Sequence, residues 1–277
     1  MKNLSFHKMH GCGNDFIFID NREARVAIPD MSLWAVTLCS RKTGIGADGL
    51  LFLESTPAGR EGDFIWHFYN ADGSRAEMCG NASRCASWLA VELGLAGPEQ
   101  CFGTDAGLIH ASVDVAGRRS RVELTHPTEL ALHIPVAVEG VTYDVNFVNT
   151  GVPHAVLLFP DCGKADVERL GRLIRYHEQF APRGTNVNFV TVNDRTSLHV
   201  RTYERGVEGE TLACGTGAAA SVCVARALGL TDTRVGVTTS GGELLGIELK
   251  EGSVFLSGAV ARVFTGTLDP SLALPGF

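Results

Sequence analysis

The sequence lacks the patterns that mark several common classes of protein. Its eight cysteines form no CxxC pair and no cysteine and histidine pair at zinc-finger spacing, which argues against a structural metal site. No uninterrupted apolar run reaches the roughly 18 residues of a membrane span, and the polar N-terminal segment has no signal-peptide core. We therefore expect a cytoplasmic protein without a membrane segment, a bound metal or a disulfide framework.

A basic surface is also missing. The net charge is -7, and the 24 lysines and arginines are scattered along the chain instead of forming a stripe, which argues against nucleic acid as a partner. Low-complexity segments are absent as well. A small-molecule ligand is the expected partner of such a chain.

What the sequence does contain is an internal repeat. The segment CGNASRCASWLAVELGL spans Cys79 to Leu95, and CGTGAAASVCVARALGL spans Cys214 to Leu230, at an offset of 135 residues. The same offset aligns the segments that begin at Thr104 and Thr239. A constant offset of this length indicates duplication, and it places one Cys-Gly at the start of a helix in each half.

The remaining patterns predict an α+β fold. Short β-branched runs separated by turn residues favour a mainly antiparallel sheet. Residues 30–42 and 166–179 are amphipathic and predict helices, and the strongly apolar segments after Cys79 and Cys214 predict two buried helices. We expect two pseudo-symmetric domains, each a curved, mainly antiparallel sheet around a central helix.

The repeat also suggests domain boundaries. We expect an N-terminal half over residues 1–126 that carries Cys79, and a C-terminal half over residues 127–265 that carries Cys214. Residues 126–140 contain two prolines and are interpreted as the crossover between them. Residues 266–277 form a tail that is expected to pack against the first half.

The two repeated cysteines are the strongest candidates for chemistry. Unpaired amides and the helix dipole stabilise anions at a helix N-terminus, so each cysteine is expected to have a thiolate-like character. The amides beside them can bind a carboxylate; these belong to Gly80, Asn81, Gly215 and Thr216. The other six cysteines, such as Cys39 and Cys223, are interpreted as ordinary packing residues.

Polar residues at predicted strand ends and loops complete the candidate site. Arg205 presents a fork suited to a carboxylate, and Glu204 can bind an ammonium group or tune a thiol. Tyr69-Asn70 stands at the place that matches Tyr203-Glu204. The glycine-rich loops around Asn14, His154 and Asn186 are typical both of ligand loops and of ordinary turns. Judged from its flanking residues Pro153 and Ala155, His154 is interpreted as a core histidine whose ring nitrogens are hydrogen-bonded.

Four segments together resemble the signature segments of the diaminopimelate epimerase family: MHGCGNDF, NADGSRAEMCGNASRC, GTNVNF and ERGVEGETLACGTG. The resemblance extends from residue 6 to about residue 265. It implies two pseudo-symmetric domains, a homodimer and an isomerase that needs no cofactor. It also implies conversion of LL-diaminopimelate to the meso form, in lysine and peptidoglycan precursor biosynthesis.

The resemblance also implies residue roles. Cys79 and Cys214 would be the acid and base thiols, and His154 and Glu204 would assist them. Substrate-binding positions would be Asn14, Asn70, Asn186, Glu204 and Arg205, with the amides after both cysteines on the reacting carboxylate. Two opposed thiols meet the demand of inverting a carbon, because one face must lose a proton while the other gains one.

Two departures from the family pattern leave alternatives open. Gly49 follows Asp48 where many members carry glutamine, and Val152 precedes Pro153-His154 where many carry asparagine. These changes concern the distal end of the substrate and favour, as an alternative, a racemase or epimerase of another amino acid with the same thiol pair. A non-catalytic amino-acid-binding protein or a thiol redox sensor is the alternative from a different class.

Overall fold

The computed structural model describes residues 4–269, 271–272 and 274–275. Within these ranges the strands are β1 (Ser5–Gly11), β2 (Asn14–Asp20), β3 (Gly49–Ser55), β4 (Phe64–Asn70), β5 (Glu99–Thr104), β6 (Gly107–Asp114), β7 (Arg119–Leu124), β8 (Thr128–Val138), β9 (Val141–Asn149), β10 (Pro153–Leu158), β11 (Asn186–Asp194), β12 (Ser197–Glu204), β13 (Gly209–Thr211), β14 (Arg234–Thr239), β15 (Leu244–Lys250), β16 (Ser253–Ala259) and β17 (Ala261–Thr267). The helices are α1 (Ile28–Cys39), α2 (Gly80–Glu92), α3 (Val167–Arg175) and α4 (Gly215–Ala227). The predicted α+β class is confirmed, and all four predicted helices are present.

The chain forms two compact units. Unit 1 comprises the described residues of Met1–Val122 and Ala259–Phe277, and unit 2 comprises Glu123–Gly258. Unit 2 therefore ends before β17 instead of at residue 265, because β17 pairs with β1 from Ser5↔Thr267 to His10↔Ala261.

The two units have the same strand arrangement. In unit 1 the order is β17-β1-β2-β3-β4-β5-β6-β7, with parallel pairs only at β2/β3 and β4/β5 among the described pairings. In unit 2 the order is β8-β9-β10-β11-β12-β14-β15-β16, with parallel pairs at β10/β11 and β12/β14. The pairings match one for one, which confirms the duplication that the repeat predicted.

The segment interpreted as a crossover, residues 126–140, is instead largely a strand. Its β8 pairs with β9, with register shifts between Thr128 and Ala131 and between Ala131 and Ile134. Glu129 and His133 have positive φ values of 56° and 58° at these irregularities, the left-handed conformation that one class of β-bulge has at its first residue. Bulges and an outer position let a strand accept a proline such as Pro135.

A buried helix lies in the core of each unit. In α2 every residue from Gly80 to Ala90 is buried, and in α4 the small residues Gly217 to Ser221 are buried without a break. Helices without a polar face must be surrounded by other elements, and α2 contacts β1, β2 and β6. The outer helices are amphipathic, since α1 buries Trp34 against β3 while Leu33 is exposed.

The end of the chain packs into unit 1. Leu268 and Leu274 are buried in the same apolar cluster as Trp34, and Trp34 Nε1 donates a hydrogen bond to Pro275 O at 3.0 Å. Of the tail expected over residues 266–277, residues 270, 273, 276 and 277 lie outside the described residues. No helix in the described part of the chain has both the length and the apolar character needed to cross a membrane.

Candidate active site

Cys79 is the N-cap residue of α2 in unit 1. Its backbone is extended, with φ -147° and ψ 126°, and no side chain caps the helix. The first amides of the helix, including those of Gly80 and Asn81, are therefore left without a capping oxygen, which is the arrangement that binds an anion. Cys79 is half-buried. Because it is the N-cap residue, its sulfur lies beside the anion-binding end of the helix.

Asn14 links Cys79 to an acidic residue. The Cys79 sulfur lies 3.6 Å from Asn14 Oδ1, and Asn81 Nδ2 lies 3.5 Å from the same oxygen. Asn14 Nδ2 donates to Asp48 Oδ2 at 2.7 Å. A carboxylate only accepts hydrogen bonds, so this contact fixes the amide with its oxygen towards the thiol.

Charged groups hold this edge of the sheet in place. Arg41 bridges Asp15 and Asp48 at 2.8 and 2.7 Å, and Lys8 pairs with Asp15 at 2.6 Å. Burial acts to raise the pKa of Asp15, but the hydrogen bonds from Arg41 and Lys8 outweigh it and lower the pKa to about 2. Asp15 is therefore ionised at any physiological pH.

Arg84 lies behind the Cys79 end of α2 and is fully buried. Its Nη2 donates to Asn81 Oδ1 at 2.7 Å and lies 3.2 Å from the Cys12 sulfur, and its Nη1 donates to Ala259 O at 2.9 Å. A guanidinium only donates hydrogen bonds, so Asn81 must point its NH2 group towards Asn14.

Asn70 ends β4 opposite Gly49, the first residue of β3. Its Nδ2 donates to Ser74 Oγ at 3.0 Å within the turn that follows, and its side chain is exposed. Asn14, at the start of β2, lies at the same end of the sheet, because β2 and β3 are parallel with Phe16 opposite Gly49. Unit 1 thus brings Asn14, Asn70 and Cys79 to one edge.

Gly49 has a packing role that explains why this chain carries no glutamine there. A Cβ at this position would lie 2.6 Å from Phe68 Cε2 and 2.9 Å from Tyr69 O, closer than packed atoms approach. In unit 2 the matching position, opposite the last residue of β12, is Asn186.

We expect Gly49→Ala to lower the free energy of unfolding by about 1–3 kcal/mol, because Phe68 and the β4 backbone must shift to admit the methyl group. Urea denaturation of Gly97→Ala is the matched control. Gly97 is exposed, and a Cβ there meets nothing closer than Glu99 O at 3.8 Å. Equal unfolding free energies for the two variants would contradict this account of Gly49.

Cys214 repeats the geometry in unit 2. It is the N-cap residue of α4, with φ -120° and ψ 110°, and again no side chain caps the helix. Its sulfur lies 3.4 Å from Thr216 Oγ1. Gly217 keeps this region compact, because a Cβ there would lie 2.4 Å from Asn188 Oδ1. The amides of Gly215 and Thr216 stand at this second helix end.

His154 lies in unit 2 with no exposed surface, and each ring nitrogen has a partner. Nε2 lies 3.0 Å from Thr216 Oγ1, and Nδ1 lies 3.0 Å from Asn188 Nδ2. Burial, and then the charge of Arg205, lower the pKa of His154 to about 3. The ring is therefore neutral at physiological pH and cannot act as a cation beside a thiolate.

Asn186 and Glu204 lie opposite one another at neighbouring strand ends, since Val187 pairs with Tyr203. Both ends of the Asn186 amide bind backbone, because Nδ2 donates to Pro153 O at 2.9 Å and Oδ1 accepts from Arg205 N at 2.8 Å. Asn186 thereby ties the loop before β10 to the turn after β12. Glu204 is half-buried at the end of β12.

Arg205 stands in a positively charged environment. Burial and then the charges of Arg175 and Arg183 lower its pKa, and only Glu208 opposes them among the strongest influences. Arg175 is itself paired with Glu208 at 3.1 Å. A guanidinium surrounded in this way favours an incoming carboxylate.

The structure thus gathers the predicted residues into two sets. Asn14, Asn70, Cys79, Gly80 and Asn81 lie at one edge of unit 1. The corresponding edge of unit 2 holds His154, Asn186, Glu204, Arg205, Cys214, Gly215 and Thr216. The described residues include no group of three or more histidines, cysteines, aspartates or glutamates arranged to hold a metal ion.

Sequence reasoning missed Asp48, Arg84, Asn188 and the side chain of Thr216. Asn188 had a usable signal, because it lies two residues after Asn186 in a strand and so points to the same face. Arg84 had no such signal in the sequence. It is the one arginine in a helix of mostly apolar or small residues, and that composition does not indicate which groups its guanidinium contacts.

Comparison with known proteins identifies relatives over nearly the whole chain. A sequence profile described as "Diaminopimelate epimerase" matches residues 6–130 and 146–263. A protein of that name from Aquifex aeolicus (strain VF5) is 45% identical over 275 residues, covering 96% of this chain and 98% of the relative.

Solved structures show the same fold at low identity. A phenazine biosynthesis protein of the PhzF family from Bacillus anthracis matches with a TM-score of 0.74 at 13% identity, over 97% of this chain and 100% of that one. A probable proline racemase from Agrobacterium radiobacter K84 matches with a TM-score of 0.71 at 14% identity, over 98% and 94%. At such identities the likeness concerns the fold alone.

Proposed function

Since this chain belongs to the diaminopimelate epimerase family, it is an isomerase that interconverts LL- and meso-diaminopimelate, and we propose that Cys79 and Cys214 are its two acid-base groups. This activity is a step of lysine biosynthesis. The observation that carries the proposal is that each thiol is the N-cap residue of an uncapped, buried helix, at matching places in two units of the same strand arrangement.

The chemistry follows from this arrangement. One cysteine, as thiolate, removes the α-hydrogen as a proton from one face of the carbon, and the other, as thiol, supplies a proton to the opposite face. After inversion the two groups have exchanged their protonation states. No electron sink is required from a cofactor if the carbanion is stabilised where its charge develops.

The helix ends supply that stabilisation in our proposal. The amides of Gly80, Asn81, Gly215 and Thr216 bind the reacting carboxylate and stabilise the negative charge that grows on it during deprotonation. Losing one such donor typically costs on the order of a hundredfold in rate. Because neither helix has a side-chain cap, these amides do not have to break an internal capping bond first.

The polar ends of the substrate require separate contacts. We assign carboxylate binding to Arg205, for which the neighbouring charges of Arg175 and Arg183 are the physical support. Glu204 lies beside it and binds an ammonium group or tunes a thiol. Asn14 and Asn70 contact the substrate from unit 1. Asn186 acts by holding the Arg205 backbone.

His154 assists in this scheme as a neutral group. With its pKa at about 3, it donates or accepts hydrogen bonds but does not take up the substrate proton at physiological pH.

Proton NMR of LL-diaminopimelate with the reduced enzyme in deuterium oxide tests the proposal. We expect loss of the α-hydrogen signal together with appearance of the meso form, since each inversion exchanges the α-hydrogen with a thiol proton derived from solvent. Inversion with complete retention of the original α-hydrogen would contradict a two-base mechanism. The same spectrum taken with other amino acids as substrate is the specificity control.

We also propose a homodimeric, cytoplasmic enzyme that supplies peptidoglycan precursors as well as lysine. The supporting argument is the membership in the diaminopimelate epimerase family. Sedimentation equilibrium tests the subunit number, and cell fractionation tests the location.

A further inference from the structure

The two thiols have different hydrogen-bond partners. The Cys79 sulfur lies 3.6 Å from Asn14 Oδ1, a carbonyl oxygen. The Cys214 sulfur lies 3.4 Å from Thr216 Oγ1, a hydroxyl. A carbonyl oxygen only accepts, whereas a hydroxyl can donate or accept. The direction of each hydrogen bond, and thus the favoured state of each sulfur, depends on what fixes these partners.

In unit 1 the partner is fixed as an acceptor. Asp48 holds Asn14 Nδ2 at 2.7 Å, so Asn14 Oδ1 faces the thiol. Arg84 holds Asn81 Oδ1 at 2.7 Å, so Asn81 also donates to Asn14 Oδ1 and confirms the orientation of that amide. An acceptor beside a sulfur stabilises S–H and does nothing for S⁻. This environment favours Cys79 as a thiol.

In unit 2 a chain of hydrogen bonds leaves the hydroxyl proton of the partner available to the sulfur. The backbone oxygen of Ala155 accepts from Asn188 Nδ2 at 3.0 Å, and Thr202 Oγ1 donates to Asn188 Oδ1 at 3.0 Å, which sets the orientation of the amide. The second hydrogen of Asn188 Nδ2 then points to His154 Nδ1 at 3.0 Å. Nδ1 must accept, so the neutral ring carries its proton on Nε2.

The chain ends at Cys214. His154 Nε2–H donates to Thr216 Oγ1 at 3.0 Å. The threonine oxygen accepts this bond, and its own proton remains available to donate to the Cys214 sulfur at 3.4 Å. A donor beside a sulfur stabilises S⁻.

We propose that in the substrate-free enzyme Cys214 rests as the thiolate and Cys79 as the thiol, because Thr216 donates to one sulfur while Asn14 accepts from the other. The inference rests on the proposed function of the two cysteines. Thr216, His154 and Asn188 are positioning residues in this assignment, since they act through the Cys214 sulfur.

The surrounding charges act on both thiols. At Cys79 the negative charge of Asp48 behind Asn14 disfavours a thiolate, and the positive charge of Arg84 behind Asn81 favours one. In unit 2 the positive charge of Arg205, which acts on His154, favours a thiolate, and Glu204 at the end of β12 disfavours one. Each thiol is also the N-cap residue of a helix, and a helix N-terminus favours an anion at both sites. Charges of both signs thus act at each site.

The assignment sets the order of proton movement. Cys214 takes the α-proton of the substrate, and the S–H bond of Cys79 breaks as its proton passes to the opposite face of the carbon. Cys214 is then a thiol and Cys79 a thiolate. Before the next turnover of the same isomer, Cys214 must release a proton to solvent and Cys79 must gain one.

The test is the pH dependence of iodoacetamide alkylation at each thiol. Trypsin places the two cysteines in separate peptides, residues 76–84 and 206–226, so mass spectrometry reads each midpoint separately. We expect the Cys214 midpoint to lie at least about one pH unit below that of Cys79. Cys223 shares the second peptide and is an internal control, because burial raises its pKa to about 11.

Two variants of Thr216 separate the hydrogen bond from packing. Thr216→Val keeps the shape and loses the donor, and it should raise the Cys214 midpoint by about one unit while leaving Cys79 unchanged. Thr216→Ser restores the hydroxyl and should return the Cys214 midpoint towards the wild-type value. Asn14→Ala should instead lower the Cys79 midpoint, because water donates as readily as it accepts.

A Cys79 midpoint at or below that of Cys214 in the wild-type enzyme would overturn the assignment, and so would an unchanged Cys214 midpoint in Thr216→Val. Should Thr216→Val fail to fold by circular dichroism, the wild-type order and the Asn14→Ala shift still decide the question. The proposed function stands or falls separately, on whether each cysteine is needed for inversion.

Discussion

Replacement of Cys79 by alanine, or of Cys214 by alanine, is expected to lower the rate of interconversion of LL- and meso-diaminopimelate by at least about a thousandfold. A positioned acid or base typically contributes on the order of 10²–10⁴ in rate, and each thiol is the N-cap residue of a buried helix that no side chain caps. Each variant lacks the acid-base group on one face of the α-carbon, so inversion cannot be completed.

The remaining thiol gives each variant a distinctive residual activity. A single thiolate can remove the α-proton and return a solvent deuteron to the same face. Each variant should therefore exchange the α-hydrogen of one isomer in deuterium oxide without inverting it, and the two variants should prefer opposite isomers. Proton NMR of both isomers with both variants measures this directly.

Matched controls lie on the same helices. Cys85→Ala on α2 and Cys223→Ala on α4 change the same residue type one to three turns along each helix, away from the helix end, and both should keep the inversion rate within a few fold. Inversion by Cys79→Ala or Cys214→Ala at a rate close to that of these controls would refute the two-thiol mechanism.

The second large effect is expected at Arg205. Arg205→Met should lower kcat/KM for diaminopimelate between about 30-fold and several thousandfold, because removing one partner of a desolvated charge pair costs about 2–5 kcal/mol. Most of the loss should be in KM, since the guanidinium binds a carboxylate of the substrate equally before and during the reaction.

Two further variants sharpen this prediction. Arg205→Lys keeps the charge but loses the planar fork, so it should recover only part of kcat/KM. Arg195→Met removes an arginine of similar size that is paired with Asp232 at 2.7 Å on an exposed turn, and it should leave the kinetics unchanged. A wild-type KM in Arg205→Met would exclude this residue from substrate binding.

Much of the architecture could be predicted from local patterns. The helices that follow Cys79 and Cys214 were predictable because their apolar, small-residue composition and Cys-Gly starts are local properties of the sequence. The duplication was visible because both copies kept the same spacing. The bounds of the units were not predictable in the same way, because β17 joins unit 1 through pairing with β1, more than 250 residues earlier in the chain.

The same distinction applies to the candidate site. Residue types at strand ends indicated Asn14, Glu204 and Arg205, but no local pattern reveals which way a side-chain amide faces. The tautomer of His154 depends on Asn188, 34 residues away, and on the backbone oxygen of Ala155. The interpretation of His154 as a hydrogen-bonded core histidine describes its burial correctly. Its contact with Thr216 is seen only in the folded structure.

The position of β17 has one more consequence. In unit 2 the outer strand β8 comes first and runs through a short turn into β9, whereas its counterpart in unit 1, β17, comes last, and β1 has no strand before it among the described residues. The two units are thus circular permutants of one another, opened at different points of the same cycle of strands. The two units have kept the same neighbours for each strand. The order of the strands along the chain differs between them.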